Sequence, residues 1–296
     1  MIVVDYSQTS ISTFMAEIGH RKDASINVNV DLIRHMILNT LRSYRTKFSA
    51  EYGEIVIACD NRHYWRRDVF PYYKAGRKKV REDSGLDWSS IFEALGMVRN
   101  EIDQFMPYPV IDVNGAEADD VIGTLAEYSQ SVADTPGKLF GEPEPFLVIS
   151  GDHDFQQLQK FSNVSQYSPA KKRMVQIKEP ADHVLMEHII GGDKGDGVPN
   201  ILSDDDTFVS DKRQRPIRKT VLAEWKAKSP EEWITSEMAH GYNRNKQLVD
   251  LSMTPSHIKE EIIASYEGQL NKTRSNVFNY FLKFRLNGMM DVIQDF

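Results

Sequence analysis

The chain has 296 residues, 41% of them hydrophobic, which is enough to bury the core of one large domain or two modest ones. Its charged fraction of 27% is near the globular average. A single cysteine, Cys59, excludes an internal disulfide framework and suits a reducing cytoplasm. No apolar run approaches the ~20 residues of a membrane span, and the opening MIVVDYS is too short and lacks the basic leader of a signal peptide. A cytoplasmic protein with no membrane attachment is expected.

The net charge of −7 is unusual for a nucleic-acid binder, but it is unevenly spread. Residues 62–81 hold eight Lys/Arg and one acid, and residues 210–228 hold seven Lys/Arg and two acids. Acids gather elsewhere at short spacings. Basic patches around an acidic centre are what a nuclease using metal ions requires.

In chain order, Ile2-Val3-Val4 predicts a strand that ends at Asp5. Residues 28–47 predict a helix, with Val28, Leu32, Ile33, Met36, Ile37 and Leu41 at spacings of three and four. Ile55 to Cys59 is a second strand, ending at Asp60. The basic, aromatic segment 62–87, with Pro71, Gly76 and Gly85, predicts a mobile loop or helical arch. A helix over 88–106 and a weak strand at Pro109-Val110-Ile111 follow, then a helix over 117–128. Segment 131–145 reads as a surface connector, and Phe146 to Ile149 as a strand before Asp152 and Asp154. Beyond about residue 180, helical stretches dominate: 182–190, 217–228, 230–240, 255–266 and 276–286.

Near-continuous apolar strands alternating with helices define an α/β fold, a doubly wound and mainly parallel sheet. The helical arch is inserted after its second strand, and a helical C-terminal subdomain follows. The expected division is 1–185 for the α/β domain and 186–296 for the C-terminal part. In such sheets ligands bind at the carboxyl ends of strands, where these acids sit.

Nine acids form the candidate site: Asp5, Asp60, Glu117, Asp119, Asp120, Asp152, Asp154, Asp193 and Asp196. Singly, Asp5 or Asp60 reads better as an ordinary helix cap or turn former. Glu117, Asp119 and Asp120 suit a helix's first turn, favoured by the macrodipole. Asp152 and Asp154 are stronger, because Asp-x-Asp after a buried strand brings two carboxylates into one small space. The turn from Gly192 to Gly197 lacks the spacing and closing Glu of an EF-hand. Together the acids predict a shared site for hard divalent ions, which prefer oxygen ligands. His153 is read as structural, its ring alternating away from its neighbours.

Cys59-Asp60-Asn61, Tyr64-Trp65-Arg66-Arg67-Asp68, Tyr72-Tyr73-Lys74, Glu117-Ala-Asp-Asp120, Ser150-Gly-Asp-His-Asp154-Phe155 and Gly192-Asp-Lys-Gly-Asp196 are specific in order and combination. They resemble the 5′-nuclease superfamily, which includes flap endonucleases and the 5′-exonuclease domains of bacterial DNA polymerases. Within it they resemble the ribonucleases H of T-even bacteriophages, a likeness that implies a host cytoplasm. The resemblance covers nearly the whole chain. It implies two Mg2+ ions, replaceable by Mn2+. Asp5, Asp60, Glu117, Asp119, Asp120 and Asp152 match acids around the first ion, some acting through water. Asp154, Asp193 and Asp196 match those around the second.

The resemblance also implies an arch whose Lys74, Arg77 and Arg81 clamp the scissile phosphate. Lys78 and Lys79 then contact nucleic acid, and Tyr72 and Tyr73 either stack on an unpaired base or anchor the arch in the core. Arg213, Arg215, Arg218 and Lys219 are candidates for duplex phosphate contacts in a helix–hairpin–helix-like region. There the pattern departs from cellular members after Gly197-Val198-Pro199, which puts a potassium site in doubt. The implied activity is a 5′-3′ exonuclease and flap endonuclease with ribonuclease H activity. Its substrates are branched or 5′-flapped DNA and RNA–DNA hybrids, cleaved in primer and flap removal during replication. Implied partners are single-strand DNA-binding protein and a sliding clamp, with the enzyme itself a monomer. The apolar faces within 255–296 serve either such a partner or the core.

Two rivals share parts of the pattern. A PIN-type single-strand ribonuclease has the acid-ended sheet but is shorter and lacks the arch. A non-catalytic branched-DNA-binding protein with a decayed site would have lost acids that are all present here. Phosphoryl transfer from nucleotides would need a Gly-x-x-x-x-Gly-Lys-Ser/Thr loop, which is absent.

Overall fold

The expected strands form as β1 (Ile2–Asp5), β2 (Ile55–Ala58), β3 (Val110–Ile111) and β4 (Phe146–Ile149), joined by β5 (Val164–Ser168) and β6 (Arg173–Met174). The computed structural model describes residues 1–19, 28–131, 143–210 and 212–296. The sheet order is β3-β2-β1-β4-β5-β6, parallel except for β6. The sequence pattern misses β5 because Val-Ser-Gln-Tyr-Ser is too polar for a buried run. Its Gln166 is nonetheless buried, because its amide donates to the carbonyls of Ser150 (3.0 Å) and Asp152 (2.6 Å). Most of the expected connector 131–145 lies outside the described residues.

Between β1 and β2 lie α1 (Tyr6–Gly19) and α2 (Val30–Tyr52). Three helices separate β2 from β3: α3 (Trp65–Val69), α4 (Arg77–Asp83) and α5 (Trp88–Phe105). Helix α6 (Ala118–Ser131) precedes β4. After β6 come α7 (Ala181–Gly191), α8 (Lys219–Lys226), α9 (Ser236–Val249), α10 (Ser256–Glu267) and α11 (Val277–Lys283). The helix expected over 230–240 instead begins at Ser236. Ser229 and Glu232 form a capping box around Pro230 that closes a separate 3₁₀ turn first.

Strand alternation sorts the core into two layers. Ile2, Val4, Ile55 and Ile57 face α2 and α5, whereas Val3, Val56 and Ala58 face α6 and α10. Both faces are therefore covered, as a parallel sheet requires. The C-terminal helices join these layers: Val277, Tyr280 and Phe281 of α11 pack in the first, and Ile258 and Ile262 of α10 in the second. These apolar side chains are part of the core, whereas Leu270, Phe278 and Leu282 stay exposed. A third, smaller cluster joins Ile189 and Ile190 of α7 to Ile201, Met238 and Tyr242.

Candidate metal centre and nucleic-acid cleft

Strand order reverses between β1 and β4, and the carboxyl ends of β1, β2 and β4 deliver Asp5, Asp60, Asp152 and Asp154 there. Asp5 is buried; it accepts from the Gln8 amide N–H (2.9 Å), and the Ser150 hydroxyl lies 3.4 Å from its other oxygen. Gln8 Oε1 in turn accepts from Ser150 Oγ and Gly151 N–H, which pins the β4 turn against α1. Asp60 accepts from the backbone N–H of Ala118 (2.9 Å), so one of its oxygens caps α6.

The three acids of the α6 start have different fates. Asp119 makes no hydrogen bond or ion pair among the described residues. Glu117 is buried, receiving Lys74 Nζ on Oε1 (2.5 Å) and Arg66 and the Tyr73 hydroxyl on Oε2 (3.0 and 3.1 Å). Asp120 turns inward. Its Oδ1 accepts from the Trp65 indole and the Thr254 hydroxyl, and its Oδ2 from Arg66 and the Glu117 N–H. Both oxygens of Asp120, one of the acids that the resemblance places around the first ion, are thus engaged by protein groups.

The second group sits on the turn after α7. Gly192 adopts φ +67°, and a Cβ there would meet Val198 O at 2.4 Å, so only glycine lets the chain double back. The Asp196 N–H caps onto Asp193 (3.0 Å), and the Tyr73 hydroxyl donates to Asp196 (2.8 Å). The arch closes over this turn: Lys74 N–H donates to Asp196 O (2.7 Å), and Arg77 pairs with the Asp196 carboxylate.

Two histidines complete the picture. His188 Nδ1 lies 2.9 Å from Asp154 Oδ1, and its Nε2 lies 3.3 Å from Asp193 Oδ2. Although in ion-pair range, Asp154 Oδ1 is buried and accepts no hydrogen bond. His153 does not turn away: its ring meets that of His188 edge-on at 5.4 Å, and His153, Asp154 and His188 present donor atoms within 4.8 Å of one another. His188 stands 34 residues beyond Asp154 (188 − 154) and in no motif with it, so it escapes sequence reading.

The electrostatics follow from this crowding. Burial, then the charges of Asp60 and Asp152, push Asp5 up to about 7. Burial and neighbouring Asp154 push Asp152 to about 6. Burial also raises Asp119 well above the usual range, against the pull of Lys74 and with the push of Asp152 and Asp154. Burial works against the charged forms of Asp193 and His188 as well. The carboxylates of Asp154 and Asp193 on either side of the His188 ring outweigh it there, raising His188 to about 10, and the contacts of Asp193 with His188 and the Asp196 N–H hold Asp193 at about 2. Carboxylates that repel one another, an orphaned buried oxygen and a hard-oxygen donor set all fit divalent cations.

A cleft of about 1080 Å³ lies between α1, α5 and the arch, and Asp60 and Glu117 are the candidate acids that line it. Lys74, Arg77, Lys78 and Arg81 line it, with Arg62 and Arg67. Lys79 is exposed on α4. Tyr73 is buried, with its hydroxyl committed to Glu117 and Asp196, so it anchors the arch; Tyr72 keeps an exposed ring. Arg66, one of the arch cations in sequence, lies in the core instead. Arg213, Arg215, Arg218 and Lys219 are all exposed and make no ion pair among the described residues.

Residues 1–186 match the 5′-3′ exonuclease N-terminal, resolvase-like domain, and residues 180–296 match the C-terminal domain of T4 RNase H. The chain therefore belongs to the 5′-3′ exonuclease family, and it is a nuclease. It is 32% identical to the ribonuclease H of Enterobacteria phage T4, over 99% of this chain and 95% of that protein. The T5 5′-exonuclease with bound zinc superposes with a TM-score of 0.60 at 17% identity, covering 92% of this chain and 98% of that one. The bacteriophage T5 flap endonuclease, in a complex with DNA and metal ions, gives 0.58 at 17% identity, covering 91% and 98%. At those identities the T5 structures speak for the shared fold. No helix among the described residues is long and apolar enough to cross a membrane.

Proposed function

We propose that the chain hydrolyses phosphodiesters at 5′ ends and flaps of DNA and RNA–DNA hybrids with two Mg2+ ions, Mn2+ substituting, in removal of primers and flaps during replication. The observation that carries this reading is the junction of acids from three strand ends, a helix start and a glycine turn beside a basic cleft. Asp5, Asp60, Asp119, Asp152, Asp154, Asp193 and Asp196 would hold the ions, which when bound activate water and stabilise charge on the phosphate. Glu117 faces the same space through Lys74, and Asp120 positions α6 from behind.

The chain's own groups then divide the work. Lys74 and Arg77 stand between the acids and the cleft, placed to hold the scissile phosphate and offset its developing charge. Tyr73 fixes the arch to both acid groups, so a phosphate held by Lys74 is held in register with the acids. Arg213, Arg215, Arg218 and Lys219 supply phosphate contacts along a duplex. The test pairs Asp152→Asn and Asp154→Asn with wild type, measuring flap cleavage in magnesium and flap binding in calcium. Both variants should lose cleavage and keep binding; near-normal cleavage would overturn the metal assignment.

A further inference from the structure

Two imidazoles stand at one end of the carboxylate centre, and neither has a part in the reaction proposed above. His153 is the N-cap of the 3₁₀ turn Asp154–Lys160, and His188 lies in the last turn of α7, which packs on that turn. The His153 ring makes no hydrogen bond or ion pair among the described residues; its contact is the edge-on meeting with His188.

The contact between His188 and Asp154 has the length of a hydrogen bond without its direction. Nδ1 lies 2.9 Å from Oδ1, yet that buried oxygen accepts no hydrogen bond, so the N–H axis of the ring does not point at it. Two donors that share one metal ion stand in this way. Bonds of about 2.0–2.2 Å from each donor to the ion put the donors roughly 3 Å apart, with both lone pairs aimed at the ion and not at each other. On the other side of the ring, Nε2 faces Asp193 Oδ2 at 3.3 Å, the kind of carboxylate that fixes a ligating histidine in place. His153, Asp154 and His188 present donor atoms within 4.8 Å of one another. His153 is the exposed member, able to close the remaining distance by turning its ring.

We propose that His153, Asp154 and His188 Nδ1 form a site for one transition-metal ion of the cobalt, nickel and zinc class, which competes with the second magnesium for Asp154. The consequence for cleavage rests on the nuclease reading; the binding site itself does not. Imidazole nitrogen suits these ions, whereas magnesium takes oxygen ligands and keeps its waters. Three protein donors leave a position for water and keep the ion open to the rest of the centre. Asp154 and Asp193, whose charges favour a proton on His188 in the metal-free protein, favour a divalent ion as well, and its arrival releases that proton to solvent. Micromolar transition metal in millimolar magnesium therefore takes Asp154 from the catalytic pair and slows cleavage.

The test titrates metal-free protein with cobalt(II), whose visible absorption is strong in four- or five-coordinate sites with nitrogen ligands and weak in six-coordinate oxygen sites. Wild type should bind one equivalent with the strong spectrum and keep it in millimolar magnesium. His153→Ala and His188→Ala should each lose the strong spectrum and weaken cobalt binding by at least about tenfold, since even an outer partner of a metal ligand counts on that scale. His153 is exposed, so its variant probes the site without threatening the fold. Low micromolar nickel should depress flap cleavage by wild type in magnesium and inhibit His153→Ala less. A weak, six-coordinate spectrum in wild type would overturn the site, as would a strong one that survives in both histidine variants. Equal inhibition of wild type and His153→Ala by nickel would overturn the competition for Asp154. If wild type binds cobalt as expected but cleaves no flap in magnesium, the nuclease reading fails and the site stands.

Discussion

Lys74 Nζ lies 2.5 Å from Glu117 Oε1 and 3.4 Å from Asp196 Oδ2, so one arch cation bridges the acids of α6 and those of the glycine turn. Its backbone is held at φ +57°, a conformation uncommon for a residue with a side chain, by the N–H bond to Asp196 O. Lys74→Ala should slow single-turnover cleavage at saturating enzyme by roughly 100-fold, the scale of losing one charge-stabilising donor. Flap affinity in calcium should change by less than about threefold, since several other cations hold phosphate. Lys74→Gly should be as slow as Lys74→Ala but more stable, because glycine accepts the positive φ. Wild-type turnover by Lys74→Ala would assign the arch to binding alone.

Metal-free stability should carry the imprint of the raised carboxyls. The folded pKa of Asp5 is about 7 and that of Asp152 about 6, against an ordinary 3.8. Between those values the native state holds protons that the unfolded chain has released. Stability from these groups is therefore fully present below about pH 3.8 and is lost as pH rises toward 7. The melting temperature of metal-free Asp5→Asn should exceed that of wild type increasingly across this window, reaching a few degrees. Millimolar magnesium should erase most of the difference by binding the native wild type. Parallel melting profiles for the two proteins would show that the acids do not strain the fold.

Arg66 should be a stability residue despite its place in a basic segment. It is buried and pairs with Glu117 (3.0 Å) and Asp120 (2.8 Å), with Nε donating to Leu248 O (2.8 Å). Arg66→Ala leaves buried Asp120 without its cation and Glu117 with Lys74 alone, a change that costs about 3–5 kcal/mol. Chemical denaturation should show that loss directly. Arg66→Ala combined with Asp120→Asn should recover part of it, because the uncompensated charge is gone. Additive losses in the double variant would argue against the pairing.

Arg215 should behave in the opposite way to Lys74. It is exposed, and its backbone N–H is fixed by Ser203 Oγ (2.9 Å), which sets the loop's position without occupying the side chain. Arg215→Ala should weaken duplex binding and reduce the slope of log affinity against log salt by about 1. Its single-turnover rate at saturation should match wild type. An unchanged salt slope would remove Arg215 from the duplex contact.

The amino-acid sequence by itself determined the elements and the order in which acids meet them. Apolar runs at Ile2–Val4, Ile55–Cys59 and Phe146–Ile149 suit buried parallel strands, and the acids that follow such strands gather at one end of the sheet. Period and spacing are local, so they survive in a one-dimensional reading. Tertiary structure alone decided which acids find partners within the protein. Asp119 and Asp120 are adjacent in sequence, yet one is unpaired and the other is enclosed by Trp65, Arg66 and Thr254, partners up to 134 residues away. The same holds for Gln166 behind the β4 turn, for His188 between Asp154 and Asp193, and for the sorting of Arg66 into the core and Arg81 into the cleft. A side chain's role there depends on which distant group supplies its missing hydrogen bond or countercharge, and only the packed chain brings that group into contact.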